Sequence, residues 1–163
     1  MPLSLHLLIH FSLALLSGYI LGRHFKLIKL GLLAGLLGGF LIDLDHVLEY
    51  FFVFGFNFNL GRFLSGWQFL KSDTIYLIFH AWELVVILFL ISYIFKIKHQ
   101  IKVFILILAS AMAVHLFSDV LINHYPVKFY SFLYRYQEDF SAPQLLSQAQ
   151  WEENLKLKLK LGL

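Results

Sequence analysis

The chain has no cysteine in 163 residues, which excludes disulfides, thiolate metal sites and cysteine nucleophiles together. Charge is also scarce. Asp, Glu, Lys and Arg make up 14% of the residues while 60% are hydrophobic, against roughly a quarter and a half in ordinary soluble domains. This balance excludes an ordinary soluble globule and a disordered chain alike, and it makes the bilayer the natural solvent. The formal net charge of +3 is too small and too scattered for a nucleic-acid partner. Without thiols, any metal must be held by His, Asp and Glu. Eight His is an ample supply for so apolar a sequence.

A helix that crosses a bilayer takes roughly 20 mainly apolar residues. Four stretches are expected to do so: Leu3 to Leu21, Leu27 to Ile42, Thr74 to Phe95, and Ile101 to Ile122. The second is short unless it runs past Asp43 towards Phe54. The first has no Lys or Arg ahead of it and no convincing cleavage site, so it reads as a retained helix and not a signal peptide. The expected fold is all-α, an integral membrane bundle of four transmembrane helices over residues 1–125. An aromatic loop, Phe51 to Phe58, joins helices two and three and lies at the interface or re-enters the membrane. Gly18 and Gly22, then Gly31 and Gly35, stand four apart, with Gly38 and Gly39 following. That spacing lets membrane helices approach closely.

Residues 126–163 read as an interfacial or flexible tail rich in Tyr, with Lys128 and Arg135 beside the rings. From Trp151 to Leu163, Leu alternates with Lys156, Lys158 and Lys160. Such a period of two suits a strand, or equally a surface-bound or disordered end. The short loops carrying Arg23, His24, Lys26 and Lys29, and Lys96, Lys98 and Lys102, share one side of a four-span protein. Positive-inside bias makes that side cytoplasmic in a multi-pass protein of the cell membrane.

Ionisable residues inside spans are costly, so each needs a reason. They fall into four clusters: His6 and His10; Asp43, Asp45, His46 and Glu49; His80 and Glu83; His115 and Asp119, with Asn123 and His124 following. Spacings of three or four put two side chains on one helix face. Taken alone, each cluster reads as helix packing or as the point where a helix meets water. Spans one and three begin on the side where spans two and four end, so all four clusters share one end of the bundle. Scattered structural polar residues have no reason to do so. Imidazoles with carboxylates suit Zn²⁺ first, and Mn²⁺ or Fe²⁺, over Mg²⁺ or Ca²⁺. So many donors exceed one tetrahedral ion, and a two-metal centre is expected. Without metal, the same groups would serve a divalent-metal or proton carrier.

An N-terminal His, Asp-x-Asp-His after a glycine-rich span, His-x-x-Glu opening the third span and His-x-x-x-Asp closing the fourth resemble the YdjM-like family of membrane-bound metal-dependent hydrolases, distantly similar to zinc-dependent phospholipase C. Ile42 stands where a Pro usually precedes the Asp-x-Asp-His, which removes a helix breaker. The resemblance implies hydrolysis of a phosphoester in a lipid or lipid-linked substrate, on the non-cytoplasmic side. It carries over His6 or His10, Asp43, Asp45, His80, His115 and Asp119 as metal positions. His46 or Glu83 is then the general base or an outer partner. No protein nucleophile is evident, so the reading rests on water activated by metal. The inner halves of the spans are almost wholly apolar, which favours surface chemistry over passage.

Overall fold

A computed structural model describes Leu3–Leu163 as helices joined by short turns, with no strand among the described residues. In chain order the helices are α1 (Leu3–His24), α2 (Ile28–Gly39), α3 (Leu44–Phe54), α4 (Leu60–Leu64), α5 (Trp67–Ser72), α6 (Trp82–Ile94), α7 (His99–Asn123), α8 (Phe132–Gln137), α9 (Ala142–Leu145) and α10 (Gln148–Leu161). Short 3₁₀ turns cover Leu41–Asp43 and Val127–Tyr130. Three helical stretches, Leu5–His24, Ile28–Phe54 and His99–Asn123, are long and apolar enough to cross a membrane. The chain divides into two units, Met1–Asp43 with Phe79–Pro126 and Leu44–Ile78 with Val127–Leu163. The tail is therefore not a unit by itself, as the sequence reading had it, but groups with residues 44–78.

The first unit holds α1, α2, α6 and α7. Glycine sets its tightest contact. A Cβ added at Gly18 would stand 2.5 Å from the Gly31 carbonyl oxygen, and one at Gly22 would stand 3.1 Å from the Gly31 Cα. The α1 and α2 backbones thus meet without side chains between them. Beyond them Ala34, Val103 and Ile107 are buried together, flanked by Leu21, Phe25, Leu27, Phe104 and Leu108. The few hydroxyls in this apolar setting, Ser17, Ser92 and Ser110, donate to carbonyls of their own helices at 2.7–3.1 Å. That removes the penalty of an unpaired polar group.

α2 stops at Gly39 even though no proline follows. Two glycines in succession are poor helix formers, and Phe40 leaves the helical region at φ −134° and ψ −48°. The Asp43 N–H then donates to the Phe40 carbonyl instead of the Gly39 carbonyl. This break frees the Gly39 oxygen for another donor.

The span expected from Thr74 becomes helical only at Trp82, leaving α6 with 13 residues. The reason lies in the second unit. Glu49 is buried and its carboxylate accepts the Tyr76 and Leu77 N–H groups at 2.8 and 3.1 Å. Arg135, wholly buried, donates to the Tyr76, Leu77 and Phe129 carbonyls at 3.1, 2.8 and 2.6 Å. Residues 76 and 77 give their backbone groups to side chains, so none remain for a helix. Nearby, Ile75 donates to the Phe140 carbonyl and Ala142 to the Asp73 carbonyl, tying this segment to the tail.

The aromatic stretch is not a loop throughout. Phe51–Phe54 complete α3, and the buried Tyr50 stacks within 4.8–5.9 Å of the Phe54, Phe58 and Phe63 rings. The terminal Leu/Lys stretch is also helical, against the period-two reading. Ser147 and Gln150 form a capping box at the start of α10, and Gly162 closes it with φ +68°. Leu and Lys are good helix formers, and Lys158 pairs with Asp73 at 2.6 Å.

Three substitutions test these supports. Gly18→Val should lower the unfolding midpoint in detergent by the equivalent of about 2–3 kcal/mol or more, while Gly61→Ala, whose Cβ would find only an ordinary 3.4 Å contact, should stay within about 0.5 kcal/mol. Arg135→Lys should destabilise by about 3 kcal/mol, because one ammonium cannot replace a guanidinium that serves three carbonyls. Circular dichroism during thermal unfolding reads all three, and a neutral Arg135→Lys would remove the clamp from the account.

Candidate metal centre

α1 and α7 each offer ionisable side chains one turn apart on one face. His6 and His10 place their ring centroids 4.2 Å apart near the start of α1. On α7, His115 Nε2 lies 3.2 Å from Asp119 Oδ2. The helices bring these pairs together, for His10 Nε2 is 3.2 Å and His6 Nε2 3.8 Å from Asp119 Oδ1. Asp43, in the turn after α2, and His80, ahead of α6, complete the group. His80 Nε2 stands 3.2 Å from Asp43 Oδ1, 3.1 Å from His115 Nε2 and 3.5 Å from Asp119 Oδ2. His115 Nε2 is also 3.5 Å from Asp43 Oδ1.

Burial is uneven. His10, His80, His115 and Asp119 expose 2% or less of their surface, whereas the Asp43 and His6 side chains are each about a fifth exposed. The centre therefore opens on the side of Asp43 and His6. A further donor, the Asn123 amide, reaches Asp119 Oδ1 at 3.1 Å.

His80 Nε2, His115 Nε2 and Asp119 Oδ2 lie 3.1–3.5 Å from one another, and Asp43 Oδ1 lies 3.2 and 3.5 Å from the two imidazole nitrogens. Bonds of about 2.0–2.1 Å to a tetrahedral zinc ion put neighbouring donors about 3.3–3.4 Å apart, within the range of these separations. Carboxylate and imidazole lone pairs at this range repel unless a proton or a cation lies between them. The buried His/Asp group can hold a metal ion.

Comparison of the chain with protein-family models, with curated proteins and with solved structures finds no match. The geometry alone carries the assignment.

Six of the residues singled out from sequence meet here: His6, His10, Asp43, His80, His115 and Asp119. Asp45 and His46 belong to α3 in the second unit, where the His46 ring stacks edge-on against Phe69 at 5.7 Å. Glu49 holds the backbone of Tyr76 and Leu77, a structural task. Glu83 occupies the first turn of α6, and His80 is outside that helix, so the two do not share a helix face as their spacing suggested. One participant escaped the sequence reading. Asn123 was legible as the residue four beyond Asp119. The Gly39 carbonyl, 3.0 Å from His115 Nδ1, was not, because it depends on the break in α2.

A metal-binding centre should stabilise the fold when its ion is present. Zinc at a hundredfold excess over its dissociation constant should add about 2.7 kcal/mol to wild type, seen as a raised unfolding midpoint in detergent. Asp119→Ala should abolish the increment, and His24→Ala, at the end of α1, should keep it. An equal zinc shift in Asp119→Ala would place the ion elsewhere.

Proposed function

We propose that this chain is a multi-pass membrane protein that hydrolyses a phosphoester at the membrane surface, a reading that also accords with the YdjM-like resemblance. The observation that carries it is the convergence of the buried His80 Nε2, His115 Nε2 and Asp119 Oδ2, with the partly exposed Asp43 Oδ1 beside the two imidazoles. Two imidazoles and a carboxylate are the donor set of catalytic zinc sites that leave a fourth position for the reaction. A divalent ion held there would make water acidic near neutral pH and polarise a phosphoryl oxygen. Zinc fits the donors best, with manganese or iron next.

The residues divide the remaining work. His80, His115 and Asp119 bind, and their burial keeps bulk water from competing. Asp43 faces the open side, where its Oδ1 accepts the proton of the attacking water as the P–O ester bond breaks. The substrate is a lipid or lipid-linked phosphate, because apolar side chains dominate the outward faces of α1, α6 and α7, among them Leu8, Leu16, Val86, Tyr93 and Phe117. Such a surface seats the protein among acyl chains. With α6 as a fourth, shorter span, the basic turns at 23–29 and 96–102 face the cytoplasm and the centre faces the other side.

The polar character ends abruptly, which favours surface chemistry over passage of an ion. Between Val103 and Val114, α7 offers only Ser110, and α1 between His10 and Gly22 offers Ser12, Ser17 and Tyr19. The Ser17 and Ser110 hydroxyls are already turned to their own helices. An ion leaving the centre would find no imidazole or carboxylate along these stretches.

Purified protein should release phosphate or a phospho-headgroup from a panel of lipid phosphates. Chelator should stop the reaction and Zn²⁺ or Mn²⁺ should restore it, while Asp43→Ala and Asp119→Ala should fall to background with helix content unchanged. Metal-dependent uptake into sealed vesicles, with no hydrolysis across the panel, would replace the hydrolase by a carrier.

A further inference from the structure

We infer that His10 is a positioning residue and not a metal ligand, so that the group it forms with His6 and Asp119 holds no ion of its own; the inference rests on the metal reading above. The argument is one of proton placement. His115 Nδ1 lies 3.0 Å from the Gly39 carbonyl oxygen and 2.7 Å from His10 Nδ1. A carbonyl oxygen only accepts, so the ring hydrogen of His115 sits on Nδ1, shared between Gly39 and His10. Its Nε2 is then a bare lone pair directed among Asp43, His80 and Asp119, the tautomer a metal ligand needs.

The consequence passes to His10. Its Nδ1 faces an N–H at 2.7 Å and must accept, so a neutral His10 ring carries its hydrogen on Nε2. That nitrogen faces Asp119 Oδ1 at 3.2 Å. An Nε2 bearing hydrogen cannot ligate a second ion. The group His6, His10 and Asp119, close enough to hold a metal by distance, is therefore excluded by hydrogen bonding.

Asp119 is divided accordingly. Oδ1 receives the Asn123 amide at 3.1 Å and faces the His10 N–H, while Oδ2 turns to His80 and His115. Outer partners that fill one carboxylate oxygen orient the other towards its ion. The His10 approach to Oδ1 is close but not well directed, so it is the weakest link in this set and the one to test. The expectation of two ions came from counting donors. Proton placement removes the group of His6, His10 and Asp119 from that count, with His6 left at the exposed rim.

Two substitutions separate the two faces of the ring. His10→Gln retains an N–H donor near the Nε2 position, and His10→Asn retains only a group near Nδ1. Zinc titration of the full chain in detergent, with metal counted per chain, should give the same number of ions for wild type and for both variants. Affinity should stay near wild type in His10→Gln and fall about 10- to 100-fold in His10→Asn. Ring ¹⁵N spectra of histidine-labelled protein should show hydrogen on His10 Nε2 and on His115 Nδ1, with zinc shifting His115 Nε2 and leaving His10 protonated at Nε2. Two ions in wild type and one in His10→Gln would make His10 a ligand and overturn the inference. Equal affinity in wild type and His10→Asn would overturn it as well, by removing the positioning role. Failure of wild type to bind any ion would overturn the metal reading itself, and the inference with it.

Discussion

Asp119 is a carboxylate buried to 2% exposure in an otherwise apolar unit, and an isolated buried charge of this kind is expensive. What makes it tolerable is supplied by four separate parts of the chain. α1 contributes His10, α7 contributes His115 and Asn123, the segment before α6 contributes His80, and the break after α2 contributes the Gly39 carbonyl that sets the His115 tautomer. No two of these suffice. The close glycine contact of α1 with α2 and the packing of Ala34, Val103 and Ile107 hold them in one place. A polar centre so dependent on converging helices is also one that loosens as soon as their approach does.

The second unit solves a different polar problem. Residues 76 and 77 have neither helix nor strand to satisfy their backbone, and Glu49 takes the donors while Arg135 takes the acceptors. Both side chains are buried. Charge here is spent on backbone geometry.

Much of this was legible in sequence. The spacing of His6 with His10, and of His115 with Asp119, survives because a long uninterrupted helix carries each pair, and a period of 3.6 residues is a local property. Long apolar runs likewise identify three helices able to cross a membrane, since span length depends only on helical rise and bilayer thickness. The glycine spacing foretold a close approach for the same reason. The α10 helix was also legible, in Ser147 and Gln150 at capping-box spacing, though the Leu/Lys alternation drew attention to the wrong period.

Other features depend on partners distant in the chain. Whether Thr74–Ala81 is helical is decided by Glu49 and Arg135, which lie far from it in sequence and compete for its backbone. Separating Asp43 from Glu49 needed the tertiary structure, because Glu49 is taken by the Tyr76 and Leu77 N–H groups, which lie far from it in sequence. Sequence by itself determined the local elements: long apolar helices, side chains one turn apart, small residues in register, and a donor set without sulfur. Only the tertiary structure decided which donors meet and which nitrogen of each ring carries the hydrogen, because a tautomer is fixed by the neighbour across the gap and not by the residue's place in the chain.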